Sequence, residues 1–264
     1  MDNRMQRMET KEDMQDKGMR VLSSNALKII ACACMVTDHA GIVFMGNNCI
    51  MRAVGRLAFP IFAFLLVQGL LHTSNVRRYL LRLGIFALVS ELPFDLAMHD
   101  TIWYPEAQNI FFTLTVGLFA IYALGSRGPI GRWKVEIALA ATLLAEFLRF
   151  DYGMAGVGII IMFYLFDKER SSISGKDGGD MVHACPGADA RTGLYYSWKQ
   201  NLGIVVLSSL VYILCLGMNQ MYALLAMIPV NMYSGERGRM MLKYFFYLFY
   251  PLHLLLIWFI RKSS

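Results

Sequence analysis

Asp38 and His39 stand side by side within Leu27 to Met45, LKIIACACMVTDHAGIVFM, an apolar run long enough to cross a bilayer. An ionisable side chain at membrane depth costs ~2.5–3.5 kcal/mol on insertion scales, so two in succession point to a functional site. The imidazole is the more versatile of the two. A carboxylate that orients it defines its tautomer and raises its basicity, as a general base toward an amine or hydroxyl requires. The same ring could instead carry an acyl group as a nucleophile. Successive helical residues diverge by about 100°, so Asp38 is badly placed to hold His39. A carboxylate from another helix, Glu91 or Asp95, is the expected partner.

Positioning these groups requires a bundle of membrane helices. With about 17–25 apolar residues per span, the sequence predicts about nine helices in a range of eight to ten. They run over 27–46, 52–71, 79–99, 109–125, 134–149, 152–167, 202–218, 220–233 and 244–260. The eighth is short and holds Pro229, as a re-entrant segment or half of a broken hairpin would. Lys and Arg cluster after the second (Arg77, Arg78, Arg82), fourth (Arg127, Arg132, Lys134), sixth (Lys168, Arg170, Lys176) and eighth (Arg237, Arg239, Lys243) spans. The positive-inside rule then makes the N-terminus and these loops cytoplasmic, with Arg261 and Lys262 in disagreement.

In that topology His39 lies about 18 Å into its span, past the midplane. Glu91 and Asp95 flank Pro93 in the outer half of the third span, Arg52 and Arg56 open the second, and Glu146, Arg149 and Asp151 close the fifth. Such charges must pair inside the bundle, acids with Arg52, Arg56 and Arg149, around a water-lined cavity open to the outside. Arg149 could equally serve as a register-fixing ion pair with Glu146 or Asp151.

Composition agrees with a polytopic all-α membrane protein: 56% of residues are hydrophobic, 17% are charged and mean hydropathy is +0.46. The net charge of +6 lies in the loops, which suits anionic lipid and argues against nucleic acid. Five cysteines without CxxC spacing suggest neither a disulfide framework nor a metal site. Residues 1–24 read as a polar cytoplasmic extension without a cleavage site, so the first span is expected to be its own insertion signal. Residues 171–200 read as a flexible cytoplasmic loop in which His183 and Cys185 are solvated. No internal repeat is evident, which weakens a transporter reading.

Seven motifs, in order, carry a resemblance. They are LKIIA with DHAG (Leu27 to Gly41), GRLAFPIFAFLLVQG (Gly55 to Gly69), RRYLLRL (Arg77 to Leu83), SELPFD (Ser90 to Asp95), NIFFTL (Asn109 to Leu114), DYGMAG (Asp151 to Gly156) and FYLFYPLH (Phe246 to His253). On these residues the chain resembles the TraX family of membrane acetyltransferases, named for the enzyme that N-acetylates conjugative pilin. That family is similar to a wider group including polysaccharide O-acetyltransferases and the heparan glucosaminide N-acetyltransferase.

The resemblance implies that residues 25–264 form a transmembrane acyltransferase domain of a bacterial inner, or cytoplasmic, membrane protein. Acetyl would pass from cytosolic acetyl-CoA to an amine or hydroxyl of an acceptor protein, small molecule or glycan on the opposite face. It nominates His39 as catalytic, with Asp38 beside it and Arg56, Glu91 and Asp95 orienting it. Arg77, Arg78 and Arg82 are candidates for the CoA phosphates, with Gln68 and His72 nearby, although the arginine run could also be only a topology signal. Asn109, Asp151, Tyr152, Tyr250 and His253 are assigned to the acceptor side; His253 could be a second acid/base or a hydrogen-bonded helix contact. The other readings are a solute permease using the same polar cluster and a non-catalytic factor for conjugation or secretion.

Overall fold

The computed structural model describes residues 21–126, 128–173, 218–236 and 243–263. Residues 1–20, the loop from 174 to 200 and the expected seventh span up to 217 lie outside them, with Arg127, Lys176, His183, Cys185, Cys215, Arg237 and Arg239. Among the described residues the chain is all-helical, and its β-type pairing is limited to isolated bridges at Leu22–Tyr233 and Gln108–Phe150. Besides a single helical turn at Pro129–Arg132, the helices are α1 (Ser24–Val43), α2 (Cys49–Gly55), α3 (Ala58–His72), α4 (Val76–His99), α5 (Ile110–Gly125), α6 (Lys134–Phe147) and α7 (Gly153–Ile173). A 3-10 stretch, Met218–Ala226, leads into the short α8 (Met227–Asn231), and α9 (Lys243–Ser263) follows.

Starts are set by side chains that accept from otherwise orphaned amides. Ser23 caps α1 through the Ala26 amide at 3.3 Å, Asn48 caps α2, and Asn75 caps α4 through Arg78 at 2.9 Å. The core lies where α3, α5 and α7 meet, around Phe59, Phe64, Leu118, Ile121, Phe163 and Tyr164. On the flank, Ala138, Ala141 and Ala145 recur at helical spacing and bring α6 close to Ala120 of α5 and Val157 of α7. Outward-facing side chains are apolar: Leu88 is 70% exposed on α4, Phe147 82% on α6 and Phe259 64% on α9.

Among the described residues, three stretches are long and apolar enough to cross a membrane, Ser24–Val43, Cys49–His72 and Tyr244–Ser263, while Ile110–Gly125 and Gly153–Phe166 are apolar but shorter. The nine-span expectation is therefore met by that standard at three of its members. Two segments are not single regular helices. The second span is broken at Arg56–Leu57, because Pro60 cannot donate to the Arg56 carbonyl and its ring crowds that position, so α2 ends and α3 begins there. The eighth is the 3-10 stretch followed by α8, not one regular helix.

The chain passes back and forth between the two ends of the bundle. Ser24, His72 and Thr73 line one cavity, and Thr73, Val76, Gly125 and Tyr164 another, so these residues share one end of the bundle. At the opposite end, Arg261 donates to the Ala97 and Leu96 carbonyls at 3.2 and 3.3 Å and pairs with Asp100 at 2.9 Å. Helices α4 and α9 therefore run parallel, and Arg261 and Lys262 are engaged by the C-terminal end of α4 instead of standing free.

Candidate active site at the α1–α9 crossing

His39 meets the last helix. Its Nδ1 lies 2.8 Å from Nε2 of His253, with the rings only 8° from parallel and 5.1 Å between centroids. Nδ1 of His253 donates to the Phe249 carbonyl one turn earlier at 3.0 Å. Tyr250 stands edge-on to both rings, 6.3 Å from His39 and 5.5 Å from His253. Pro251 places no obstacle here, since α9 continues through it from Lys243 to Ser263. The partner that orients His39 is therefore a second histidine and not Glu91 or Asp95.

Those two carboxylates are held elsewhere. Glu91 accepts from the Asn109 backbone amide at 3.2 Å and from the Asn109 side-chain amide. Asn109 also donates to the Ala87 carbonyl at 2.8 Å and accepts from the Phe111 amide at 3.0 Å, which caps α5. Its polar groups are thus occupied in locking α4 to α5. Asp95 is buried and accepts from the Tyr104 amide at 3.0 Å, tying down the 100–108 loop.

Asp38 turns away from His39, as the helical divergence requires, and pairs with Arg52 of α2 at 2.7 Å. Its second oxygen is buried and without a hydrogen-bond partner. A methyl group at Gly55 would collide with the Asp38 side chain, so glycine is what lets α2 approach α1 this closely. Arg56, at the break between α2 and α3, donates to the Tyr152 hydroxyl at 3.4 Å, and Tyr152 stacks on Phe59 with centroids 4.4 Å apart. Tyr152 and Asp151 sit in a tight turn in which Arg149 and Tyr152 adopt left-handed φ of 55° and 62°. Such backbone is held only by strong surroundings; here they are Gln108, bonded to Arg149 and Asp151 through its main chain, and Thr113, donating to the Asp151 carbonyl. The expected pairing of Arg149 with Glu146 or Asp151 is replaced by an ion pair with Glu106, and Glu146 instead accepts from the Met154 amide at 3.0 Å.

A cavity of about 360 Å³ leads toward the histidine pair from the other end of the bundle. Ser24, Lys28, His72 and Arg82 lie toward its rim, and Met35 and Tyr250 at its inner end. Gln68, His72 and Arg82 of the expected CoA set line it; Arg77 and Arg78 are exposed and do not. Lys28 is an addition, and its signal was in the sequence: Lys28, Cys32, Met35 and His39 recur at helical spacing on one stripe of α1. Arg82 also stacks over the Tyr79 ring, 5.7 Å from its centroid. This cavity opens at the end of the bundle where α1 and α4 begin, whereas the sequence placed the expected one at the end bearing Arg52, Arg56 and Asp151.

The family model described as TraX protein matches residues 23–175 and 191–261, which takes in His39, the cavity and His253. A protein of Dichelobacter nodosus described as a probable fimbrial assembly protein FimC, serogroup H1, is 28% identical over 247 residues, covering 89% of this chain and 94% of that protein. No solved structure matches.

Proposed function

The chain belongs to the TraX family, and on that premise we propose that it is a membrane-embedded acetyltransferase that moves acetyl from acetyl-CoA to an amine or hydroxyl. The acceptor heteroatom attacks the thioester carbonyl; a C–N or C–O bond forms and the C–S bond breaks. His39 takes the proton the acceptor loses and returns it to the departing thiolate. Acetyl-CoA enters from the rim bearing Lys28, His72 and Arg82, whose side chains suit phosphate, and the acceptor comes from the end bearing Asp38, Arg52, Arg56 and Asp151. In this reading the rim faces the cytoplasm, the N-terminus is cytoplasmic, and about nine spans cross a bacterial cytoplasmic membrane.

One observation carries the reading: Tyr250 lines the inner end of the cavity and also touches both histidine rings, so a group entering from the rim arrives beside a base. The test is acetyl-CoA turnover by the wild type and by His39→Ala, with folding checked separately. Turnover in the wild type and its loss in the variant is the expected result. Retained turnover in His39→Ala removes His39 from the chemistry, and a wild type that does not bind acetyl-CoA ends the enzyme reading.

A second reading has the relative's description behind it: a fimbrial assembly protein need not be an enzyme. As a non-catalytic assembly factor the chain would restore pilus assembly to a deletion strain equally well with alanine at position 39, whereas the acetyltransferase loses acceptor acetylation there.

A further inference from the structure

The two hydrogen bonds at the crossing define which nitrogens carry hydrogen. The Phe249 carbonyl can only accept, so the His253 Nδ1 that lies 3.0 Å from it is the protonated one. In a neutral ring Nε2 is then a lone-pair acceptor. Nδ1 of His39, 2.8 Å from that Nε2, must supply the hydrogen, because two lone pairs at that distance would repel. The near-parallel rings, 8° apart, suit an in-plane bond. Nε2 of His39 is left with its lone pair. The groups around the pair do not compete for Nδ1. Asp38 is paired with Arg52 across α2, Glu91 of α4 is taken by Asn109, and Tyr152, in the turn before α7, receives Arg56.

We propose that His253 is a positioning residue that fixes His39 as its Nδ1–H tautomer and so presents Nε2 of His39 as the proton acceptor. Imidazole by itself prefers the opposite tautomer, and an unheld His39 would offer the wrong nitrogen. When Nε2 takes a proton, the resulting imidazolium keeps its hydrogen bond to the neutral His253, whose own Nδ1–H stays on the Phe249 carbonyl. A backbone carbonyl and a second histidine thus do the orienting for which a carboxylate was expected. The proposal rests on the acetyltransfer reading for its consequence, but the tautomer itself is measurable without any activity.

The experiment uses the full chain in detergent or nanodiscs with ring-15N histidine, of which there are five to assign. Wild-type His39 is expected to show a protonated Nδ1 and a bare Nε2, and His253→Leu to shift it toward Nε2–H. A wild-type His39 protonated at Nε2, or one whose tautomer is unchanged in His253→Leu, overturns the proposal. In parallel, His253→Gln, whose side-chain oxygen can still accept near the original Nε2, should stay within about tenfold of wild-type turnover. His253→Leu should lose about 10²–10⁴-fold, the range for a misdirected general base. Equal losses in folded Gln and Leu variants also overturn it, and if the Leu variant does not fold, the wild-type tautomer decides alone. Absence of turnover in a wild type with the expected tautomer refutes the enzyme and leaves the positioning intact.

Discussion

The corner between α4 and α5 and the crossing of α1 with α9 both bury polar side chains, yet they spend them differently. At the corner, Asn109 and Glu91 satisfy one another and the Ala87 carbonyl within a short stretch of chain. At the crossing, His39 and His253 meet from positions 214 residues apart, and their contact leaves a nitrogen lone pair on His39 uncommitted. Polar groups that are fully paired rigidify a fold, whereas one left with capacity can act on a ligand. The difference separates residues of one resemblance into those that build the bundle and those that can react.

Exchanging the two regions' roles by mutation is the strongest way to break this comparison. His39→Ala should lower turnover by about 10²–10⁴-fold while leaving the unfolding midpoint close to wild type. Asn109→Ala should do the reverse. Loss of the α5 cap and of the partners of Glu91 and Ala87 should cost about 2–4 kcal/mol in stability, measured by chemical denaturation in detergent, with turnover per folded molecule retained. A stable Asn109→Ala that is inactive would put Asn109 at the chemistry after all. Gly55→Val tests the same boundary from the side of packing. The added side chain must displace Asp38 from Arg52, and about 1–3 kcal/mol of destabilisation is expected.

Much of the crossing was legible in the sequence, and what was not has a physical cause. Asp38 and His39 announce themselves because charge in an apolar run is costly, and the divergence of adjacent helical residues correctly keeps Asp38 off the imidazole. The partner of His39 was missed because helical periodicity places residues on faces but does not say which faces meet; Glu91 and Asp95 had the right chemistry, and His253 had the right place. The break at Arg56–Leu57 was written in Pro60, but a hydropathy window of span length averages over it. Arg77, Arg78 and Arg82 read alike as charges, yet only Arg82 turns inward, one helical turn beyond Arg78.

That last distinction gives a test at the cavity rim. Arg82→Ala should weaken acetyl-CoA binding about tenfold, in line with a charged hydrogen bond, and Arg77→Ala should leave it unchanged. Cys32 offers a second reading of the same space: in a chain keeping Cys32 as its sole cysteine, acetyl-CoA, whose sulfur is blocked, should slow alkylation of that thiol, since Cys32 lines the cavity. Equal effects of the two arginines would return the whole run to the role of a topology signal.

The smallest effect belongs to a polar group that is neither buried nor reactive. Asp100 closes α4 in a left-handed conformation, φ 58°, which asparagine also tolerates, so Asp100→Asn changes charge with little backbone penalty. A hydrogen bond from Lys262, then the charges of Lys262 and Arg261, hold its carboxyl below the usual carboxylate value. A carboxyl lowered in the folded state stabilises it fully above the unfolded value, near 3.9, and loses that contribution as pH falls through the folded one. Wild type should therefore melt slightly above Asp100→Asn at neutral pH, with the gap narrowing below about pH 4 and closing in stronger acid. Because the pair is exposed, added salt should shrink the neutral-pH gap as well. A gap that neither acid nor salt reduces would mean that Asp100 holds α9 against α4 through the hydrogen bonds its two oxygens accept and not through charge, which would move it into the same class as Asn109.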